Sequence, residues 1–155
     1  TRDGLEVFGK MEKGYLLSVD SNWDMYGDGY LSGHYFSEGA LREQLEKAYP
    51  GLVFTEEPVE NQINMYKRDK VGHILSLTVG NKTISGEEFR QLLELPSSNF
   101  TMQAADGKIR FLCKGQGHGL GLSQYGGNVL AKEGKSYKEI LRYYFPECGV
   151  QKKDS

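Results

Sequence analysis

The sequence has few of the features that identify a function at once. It contains two cysteines, Cys113 and Cys148, in 155 residues, too few for a disulfide-dense framework. They could form one disulfide or remain buried thiols, and the second alternative is favoured. No apolar run approaches membrane-spanning length, and no segment has the pattern of a signal peptide. The 21 acidic and 19 basic residues are interspersed, so neither a nucleic-acid footprint nor a polybasic membrane patch is visible.

Several common catalytic motifs are also absent. A phosphate-binding loop ends in Gly-Lys-Ser/Thr and a dinucleotide site has its own glycine spacing, and neither pattern occurs. A nucleophile elbow would read Gly-x-Ser-x-Gly, whereas Ser123 lies in Gly-Leu-Ser-Gln-Tyr. Cys113, His118 and Cys148 could meet as metal ligands, but no paired-ligand motif supports this. The sequence therefore predicts no cofactor and no metal, and a hydrolase built on these three residues is the weakest alternative.

Length and patterning predict a single α+β domain over residues 1–155, with an antiparallel sheet that contains hairpins and is packed by three or four helices. Capping patterns, among them the capping box Ser85–Glu88, mark the helix starts, and glycine and proline mark several ends. The predicted hairpin turns are Gly80–Asn81 and Asp106–Gly107, and Ile109, Phe111 and Cys113 share one face of the last strand. The predicted strands cover residues 15–19, 61–66, 71–79, 99–104 and 108–113. The predicted helices cover residues 38–49, 86–94 and 123–133, with a last one after the Ser136–Glu139 capping box. Residues 25–33 are predicted to form a loop.

A few polar and aromatic side chains within these elements have structural explanations. Trp23 is interpreted as a core anchor. His73 lies on the apolar face of a strand, which favours a buried, hydrogen-bonded histidine over a ligand. Arg90 is predicted to be exposed. Tyr15 is a candidate to face a site, although packing is the commoner role of a tyrosine in a strand.

The segment 115–127, GQGHGLGLSQYGG, is the most unusual part of the chain. Glycine at every second position from Gly115 to Gly121 rules out a helix there and predicts an extended chain with one bare side. A flexible linker or a tight glycine corner would also explain such a tract. Linkers rarely contain the polar set found here, which suits hydrogen bonding to a hydroxyl-rich ligand. The tract is predicted to lead from a strand into a helix N-terminus, where free N–H groups can hold a polar group.

This tract, followed by EILRYYF, resembles the C-terminal signature of stage II sporulation protein D and its amidase-enhancer relatives, which runs roughly G-x-GHG-V-GMSQYGA. Upstream, ISGEEFRQLLELPSSNF and GYLLSVDSNWD resemble two further segments of the family. Together these matches cover most of residues 14 to 145. The chain departs from the family pattern at a few positions: Gly14, Gln116, Leu122 and Gly127.

The resemblance implies a peptidoglycan lytic transglycosylase that cleaves glycan strands free of stem peptides. Such an enzyme needs one carboxylic acid, which protonates the leaving oxygen and then helps the C6 hydroxyl of the sugar attack C1. In the family this acid is a Glu in the N-terminal half, and no segment of this chain matches it. The chain is therefore expected to be the C-terminal part of a longer extracytoplasmic, cell-wall-facing protein with an N-terminal membrane anchor, and to be nearly inactive alone.

The resemblance also implies the site and its partners. No catalytic residue is identified in the chain; Asp24, the only carboxylate beside a family motif, is a weak candidate. The predicted substrate-binding residues are Tyr15, Gly117, His118, Gly119, Ser123, Gln124 and Tyr125. For His118, a role in orienting the glycine loop remains an alternative. The expected partners are glycan strands, the N-terminal half and a cell-wall amidase or other wall hydrolase, without nucleic acid. The alternative function is a non-catalytic amidase enhancer that binds glycan.

Overall fold

The computed structural model describes residues 1–9 and 14–151. The helices are α1 (Gly4–Phe8), α2 (Glu38–Ala48), α3 (Gly86–Leu92), α4 (Gln124–Lys132) and α5 (Tyr137–Tyr144). The strands are β1 (Leu31–Ser37), β2 (Ile63–Arg68), β3 (Ile74–Val79), β4 (Lys82–Ser85), β5 (Phe100–Ala105) and β6 (Lys108–Lys114). Short 3₁₀ turns cover Asn22–Tyr26 and Val59–Gln62. These elements confirm the predicted α+β class.

The chain divides into two compact units. The first, called here the helical unit, combines Thr1–Asp28 with Gly119–Ser155 and contains α1, α4 and α5. The second, called the sheet unit, covers Gly29–His118 and contains the six strands with α2 and α3. The glycine tract therefore contributes its first residues to one unit and the rest to the other.

Two three-stranded antiparallel sheets form the sheet unit, in the orders β1-β6-β5 and β2-β3-β4. Both predicted hairpins are confirmed. Gly80–Asn81 joins β3 to β4, with Val79 opposite Lys82, and Asp106–Gly107 joins β5 to β6, with Ala105 opposite Lys108. The glycine in each turn has a positive φ, 51° at Gly80 and 71° at Gly107, which residues with a side chain rarely adopt.

The apolar sides of the strands and helices pack together to form the hydrophobic core of the sheet unit. Leu41 and Leu45 lie one turn apart on α2 and are fully buried. The phenylalanine rings of α3, β5 and β6 pack with centroids 5.4 to 5.7 Å apart, in stacked, tilted and edge-to-face arrangements. Along β6, Ile109, Phe111 and Cys113 are buried as predicted, so the residues between them face outward.

Strand β1 was not predicted: its first three residues were assigned to a loop, and the rest were not assigned to a strand. Its sequence, LSGHYFS, has only one strongly apolar residue on the inward side, Phe36, whose ring packs edge-to-face on Phe111 at 5.7 Å. The strand exists because it pairs with β6 in an unbroken register from Leu31–Lys114 to Ser37–Lys108. Because the strand depends on this long-range pairing, its own sequence shows only a weak apolar periodicity.

The strand predicted at residues 15–19 is wrong, because that segment forms no regular strand. Its backbone is instead tied to the first residues of the chain. The N–H of Gly4 donates to the carbonyl of Leu16 at 2.6 Å, and the N–H of Val19 donates to Thr1 Oγ1 at 2.9 Å. A hydrogen-bonded but irregular segment therefore takes the place of the strand.

The predicted helix starts are confirmed. Serines cap α2, α3, α4 and α5, and both predicted capping boxes, Ser85–Glu88 and Ser136–Glu139, are complete. The side-chain and backbone hydrogen bonds from Ser85 lower the pKa of Glu88 because they stabilise its charged form.

Glu88→Gln is expected to lower the free energy of unfolding by roughly 0.5 kcal/mol at pH 7, the scale of a weakened cap. A lowered carboxyl pKa contributes stability above the unfolded-state pKa, and this stability is lost as pH falls through the folded-state value. The difference should therefore shrink between pH 7 and about pH 3, as the carboxylate is protonated. Urea unfolding at both pH values measures it, with Glu46→Gln on the exposed side of α2 as the control. A difference that persists undiminished at the lower pH would contradict this account.

Arg90 was predicted to be exposed, and this is wrong. Its Nε lies 2.9 Å from Glu87 Oε1, and its Nη1 donates to the carbonyl of Leu95 at 3.0 Å. The chain turns back after α3 and buries Leu95, so the guanidinium reaches a carbonyl beyond the helix end. Helical periodicity alone cannot predict this contact, because the carbonyl lies outside the helix.

Candidate functional site

The glycine tract lies between the end of β6 at Lys114 and the start of α4 at Gln124. Its alternate glycines, Gly115, Gly117, Gly119 and Gly121, all have φ between 71° and 81°. This differs from the predicted extended chain with a bare side. Because a Cβ is disfavoured in the left-handed region, the backbone conformation itself accounts for glycine at every second position.

The first half of the tract is fastened within the sheet unit. Gly115 donates its N–H to the carbonyl of Tyr30 at 2.6 Å, and Gly117 donates to the carbonyl of Pro96 at 2.7 Å. Gly117 also forms an isolated parallel bridge with Ser97. Gly117 and His118 are exposed, so the backbone is held while the imidazole remains accessible.

A buried polar segment supports this half of the tract. Ser97 and Ser98 are fully buried. Ser98 Oγ lies 2.9 Å from Nδ1 of His73, and its carbonyl accepts from the N–H of Ile74 at 2.9 Å. His73 is thus buried and hydrogen-bonded, which confirms its predicted structural role. No role was predicted for the two serines, although adjacent serines before a strand are an available signal.

The second half of the tract begins the helical unit. The carbonyl of Gly119 accepts from the N–H of Arg2 at 2.8 Å. Ser123 is the N-cap of α4: its Oγ accepts from the N–H of Gly126 at 3.0 Å and donates to Asp24 Oδ1 at 2.6 Å. The hydroxyl of Ser123 and one oxygen of Asp24 are therefore engaged with each other, a link between distant residues that the sequence analysis missed.

Gln124 and Tyr125 occupy the first turn of α4 and are exposed. The Tyr125 ring lies against Gly27, where an added Cβ would be 3.2 Å from Cδ2, and its hydroxyl donates to the carbonyl of Tyr26 at 3.3 Å. Tyr15 is 44% exposed, with its ring 6.4 Å from that of Phe145. The rings of both predicted tyrosines are thus packed on one side and open on the other.

Beneath α4 lies a buried contact that was not predicted. Gly126 is buried, and a Cβ there would overlap the hydroxyl of Tyr144 and lie 2.7 Å from Ser21 Oγ. The hydroxyls of Tyr144 and Ser21 are 3.1 Å apart. Tyr144 is fully buried, and burial raises its pKa. The close approach of α4 to α5 therefore depends on the missing side chain at Gly126.

The predicted site residues divide between the two units. Ser123, Gln124 and Tyr125 come together at the start of α4, and Tyr15 and Gly119 lie in the same helical unit. Gly117 and His118 belong to the sheet unit. The side chains of His118, Gln124 and Tyr125 are exposed, whereas the hydroxyl of Ser123 is engaged as the cap of α4.

Several carboxylates have structural partners rather than an environment suited to a general acid. Glu87 pairs with Arg90, and Glu88 accepts hydrogen bonds from Ser85. Glu139 has a pKa lowered by hydrogen bonds from Ser136. A general acid that works near neutral pH needs the opposite shift, a raised pKa.

No group of three or more His, Cys, Asp or Glu side chains suited to a metal ion occurs among residues 1–9 and 14–151. Cys113 is buried in the sheet unit and Cys148 is exposed, and both are free thiols. The expected buried state thus holds for the first cysteine and is wrong for the second. In the described part of the chain, no helix combines the length and apolar character needed to cross a membrane.

The two thiols are expected to differ sharply in reactivity. Burial raises the pKa of Cys113 to about 11, and alkylation requires an accessible thiolate. Iodoacetamide at pH 8 should therefore label one cysteine in the native protein and two in denaturant, as counted by intact mass. Cys148→Ser should abolish the native labelling. Labelling of Cys113 at the rate of Cys148 would contradict the buried position.

Comparisons with known proteins bear on this geometry. The chain is 30% identical over 142 residues to stage II sporulation protein D of Bacillus amyloliquefaciens, a match that covers 91% of the chain. The corresponding protein of Bacillus subtilis is 29% identical over the same share. The chain is thus similar to stage II sporulation protein D. The resemblance inferred from the glycine tract and the two upstream segments is confirmed.

Two further facts define that similarity. The chain spans 39% of the length of these stage II sporulation protein D relatives. It is also 42% identical over 50 residues to the amidase enhancer of Bacillus subtilis, a match that covers 32% of the chain and 7% of that protein. No family model matches the chain.

Proposed function

We propose that this chain is the C-terminal part of a peptidoglycan lytic transglycosylase that acts outside the cytoplasm on glycan strands free of stem peptides. The observation that carries the proposal is the similarity to stage II sporulation protein D over 91% of the chain. At the coarser level, that similarity and the match to an amidase enhancer both support a role at the cell wall.

The chain's own contribution would be to bind glycan. The exposed side chains of His118, Gln124 and Tyr125 offer donors and acceptors to sugar hydroxyls and N-acetyl groups. The fastening of Gly115 and Gly117 holds the backbone next to His118 in one conformation, which reduces the ordering required on binding.

The general acid would lie outside these 155 residues. The structural partners of Glu87, Glu88 and Glu139 support this assignment, as does the greater length of the relatives. That acid protonates the glycosidic oxygen as the bond to C1 breaks, then accepts the proton of the C6 hydroxyl as this oxygen attacks C1. The product is an anhydro sugar, and no water molecule is activated.

The test is mass spectrometry of stem-free strands incubated with this chain, with the longer protein that contains it, and with that protein carrying His118→Ala. Anhydro-muramic ends should form with the longer protein only. Loss of the imidazole contact should reduce the rate by roughly tenfold or more, the scale of one lost hydrogen bond in a site. His34→Gln, a histidine that contacts Ser32 in β1, is the matched control and should retain the rate.

Each other outcome has a definite meaning. Cleavage by the chain alone would place the acid within it and overturn the proposed division of labour. Equal rates for His118→Ala and His34→Gln would remove His118 from the binding site. Absence of cleavage by all proteins, with binding retained, would overturn the assignment as an enzyme.

The second candidate function is a non-catalytic glycan-binding amidase enhancer. The 42% identity over 50 residues to the Bacillus subtilis protein of that name favours it. Retention on stem-free glycan without anhydro products, together with faster release of stem peptides by an added wall amidase, would support this function over the first.

A further inference from the structure

The outward side of the sheet β1-β6-β5 carries a cluster of basic and aromatic residues. Because Ile109, Phe111 and Cys113 point into the core, the alternate residues of β6 point outward. Strand register places Tyr35 opposite Arg110 on one side and Gln103 opposite it on the other. We call this surface the outer sheet face, formed by Tyr35, Gln103, Lys108, Arg110, Leu112 and Lys114.

The outer sheet face has one sign of charge. None of the outward positions of β1, β5 and β6, all of which the structure describes, carries Asp or Glu. Lys108, Arg110 and Lys114 therefore form a positive row on a chain whose net charge is −2. Asp106 lies beyond the strand ends, in the β5–β6 turn. A row of cations without carboxylates attracts an anionic ligand.

Tyr35 gives this face a flat apolar surface. Tyr35 is 57% exposed, and its ring lies along the sheet over Gly33. A Cβ at Gly33 would be 3.4 Å from Tyr35 Cε2 and 3.5 Å from its hydroxyl oxygen. An exposed ring lying along a surface can pack against the apolar face of a sugar while its hydroxyl stays available for hydrogen bonds.

Arg110 retains donors for a ligand. Its Nη2 donates to Gln103 Oε1 at 2.6 Å, which holds the guanidinium across the sheet. Its Nε is buried, so only the two terminal nitrogens of the guanidinium can face a ligand. A guanidinium held in one orientation with unused N–H groups is suited to a carboxylate, which accepts two parallel hydrogen bonds.

We propose that the outer sheet face binds glycan strands through the free lactyl carboxylates of their muramic acids, with Tyr35 packed against a sugar ring and Arg110 and Lys114 paired with carboxylates. This inference rests on the proposed function, because that function supplies a glycan as the ligand. It adds a binding surface to the glycine tract, and the two are continuous along the chain because Lys114 directly precedes Gly115.

The chemistry of the glycan strand explains why the outer sheet face would prefer stem-free glycan. A stem peptide is attached through an amide at the lactyl carboxyl group, and the amide removes the negative charge beside the sugar. Removal of the peptide restores a carboxylate on every muramic acid. A positive row would therefore distinguish the two forms of the strand by charge next to the ring.

Calorimetry with the 155-residue chain tests the proposal, using stem-free strands, the same strands with amidated lactyl groups, and neutral chitooligosaccharides. Wild type should bind the stem-free strands at least about tenfold more tightly than the other two, the scale of one charged hydrogen bond. Tyr35→Ala, Arg110→Gln and Lys114→Gln should each weaken that binding by a similar factor. Lys47→Gln, an equal charge change at an exposed position of α2, should not.

Two measurements keep the test independent of folding. The far-UV circular dichroism and melting temperature of each variant should match wild type, as expected for outward positions. Arg110→Lys, which keeps the charge without the planar fork, should recover part of the affinity lost in Arg110→Gln. Binding should weaken as salt is added, and less steeply in Lys114→Gln.

The outcomes separate this inference from the proposed function. Tight glycan binding that none of the three variants changes would overturn the outer sheet face and leave the proposed function standing. No binding of any strand by wild type would overturn both. Equal binding of neutral and anionic glycans would exclude recognition of the carboxylate. Equal binding of a nucleic acid at the same residues would make the face a general polyanion surface and overturn the proposal.

Discussion

Gly86→Ala is expected to destabilise the protein by about 3 kcal/mol, at the upper end of the range for overpacking a core. Gly86 is the first residue of α3 and is buried against β3. A Cβ there would overlap the carbonyl oxygen of Ile74 and lie 2.8 Å from its carbonyl carbon and Cβ. These are mainly backbone atoms of the central strand of a sheet, so no rotation of a side chain can relieve the overlap.

Thermal unfolding followed by far-UV circular dichroism measures this effect. The melting temperature should fall by roughly 6–12 °C for a chain of this size. Gly39→Ala is the matched control because Gly39 also lies in the first turn of a serine-capped helix, α2, and an added Cβ meets nothing within 4 Å. It should leave the melting temperature unchanged or raise it slightly, since alanine is the better helix former. A melting temperature of Gly86→Ala equal to that of the control would show that β3 can move away from α3.

Gly126→Ala is expected to lower the stability of the helical unit by about 2 kcal/mol, because overpacking outweighs the better helix propensity of alanine. The new methyl group would occupy the position of the Tyr144 hydroxyl and break its contact with Ser21. Tyr144 is fully buried, so its ring cannot swing aside without disturbing the packing of α5.

The neighbouring glycine is the control. A Cβ at Gly127 would lie 3.5 Å from Leu122 Cδ2 and 3.7 Å from Ile140 Cγ2, which is ordinary contact. Gly127→Ala should therefore stabilise α4 by roughly 0.5–1 kcal/mol. The two substitutions make the same chemical change at adjacent positions, and their effects on the free energy of unfolding should have opposite signs.

A double-mutant cycle with Tyr144→Phe tests the assigned cause. Removing the hydroxyl should recover at least about 1 kcal/mol of the loss in Gly126→Ala, because the two changes act at one contact. Urea unfolding followed by the fluorescence of Trp23, the single tryptophan, reports on the helical unit, since its ring lies 5.8 Å from Tyr143 on α5. Additive effects of the two substitutions would mean that the overlap is not the origin of the loss.

Features that depend on short-range interactions were predicted correctly, whereas features that depend on long-range pairing were missed. The capping boxes at Ser85 and Ser136 and the turns at Gly80 and Gly107 were predicted because each is decided within four residues. Strand β1 was missed because its pairing partner β6 begins about seventy residues later in the sequence, and the inward side of β1 is weakly apolar.

The candidate site shows the same division. The order of residues in the tract was enough to identify the resemblance to stage II sporulation protein D, which the comparisons confirm. The order of residues did not reveal that the hydroxyl of Ser123 donates to Asp24, because the two residues are ninety-nine positions apart. The predicted substrate-binding roles of His118, Gln124 and Tyr125 remain predictions.

By itself, the sequence determined the local features of this protein: the helix starts, the hairpin turns, the buried side of β6 and the glycine tract. Tertiary structure decided which distant residues share a surface. Alternation along β6 puts Lys108, Arg110 and Lys114 on one side of the sheet, and the register of the two neighbouring strands brings the distant Tyr35 and Gln103 beside Arg110. The physical reason is that a strand displays every second residue on one face, so the sequence alone indicates which of its own residues lie together. Which residues of the neighbouring strands lie beside them depends on register, which long-range packing sets.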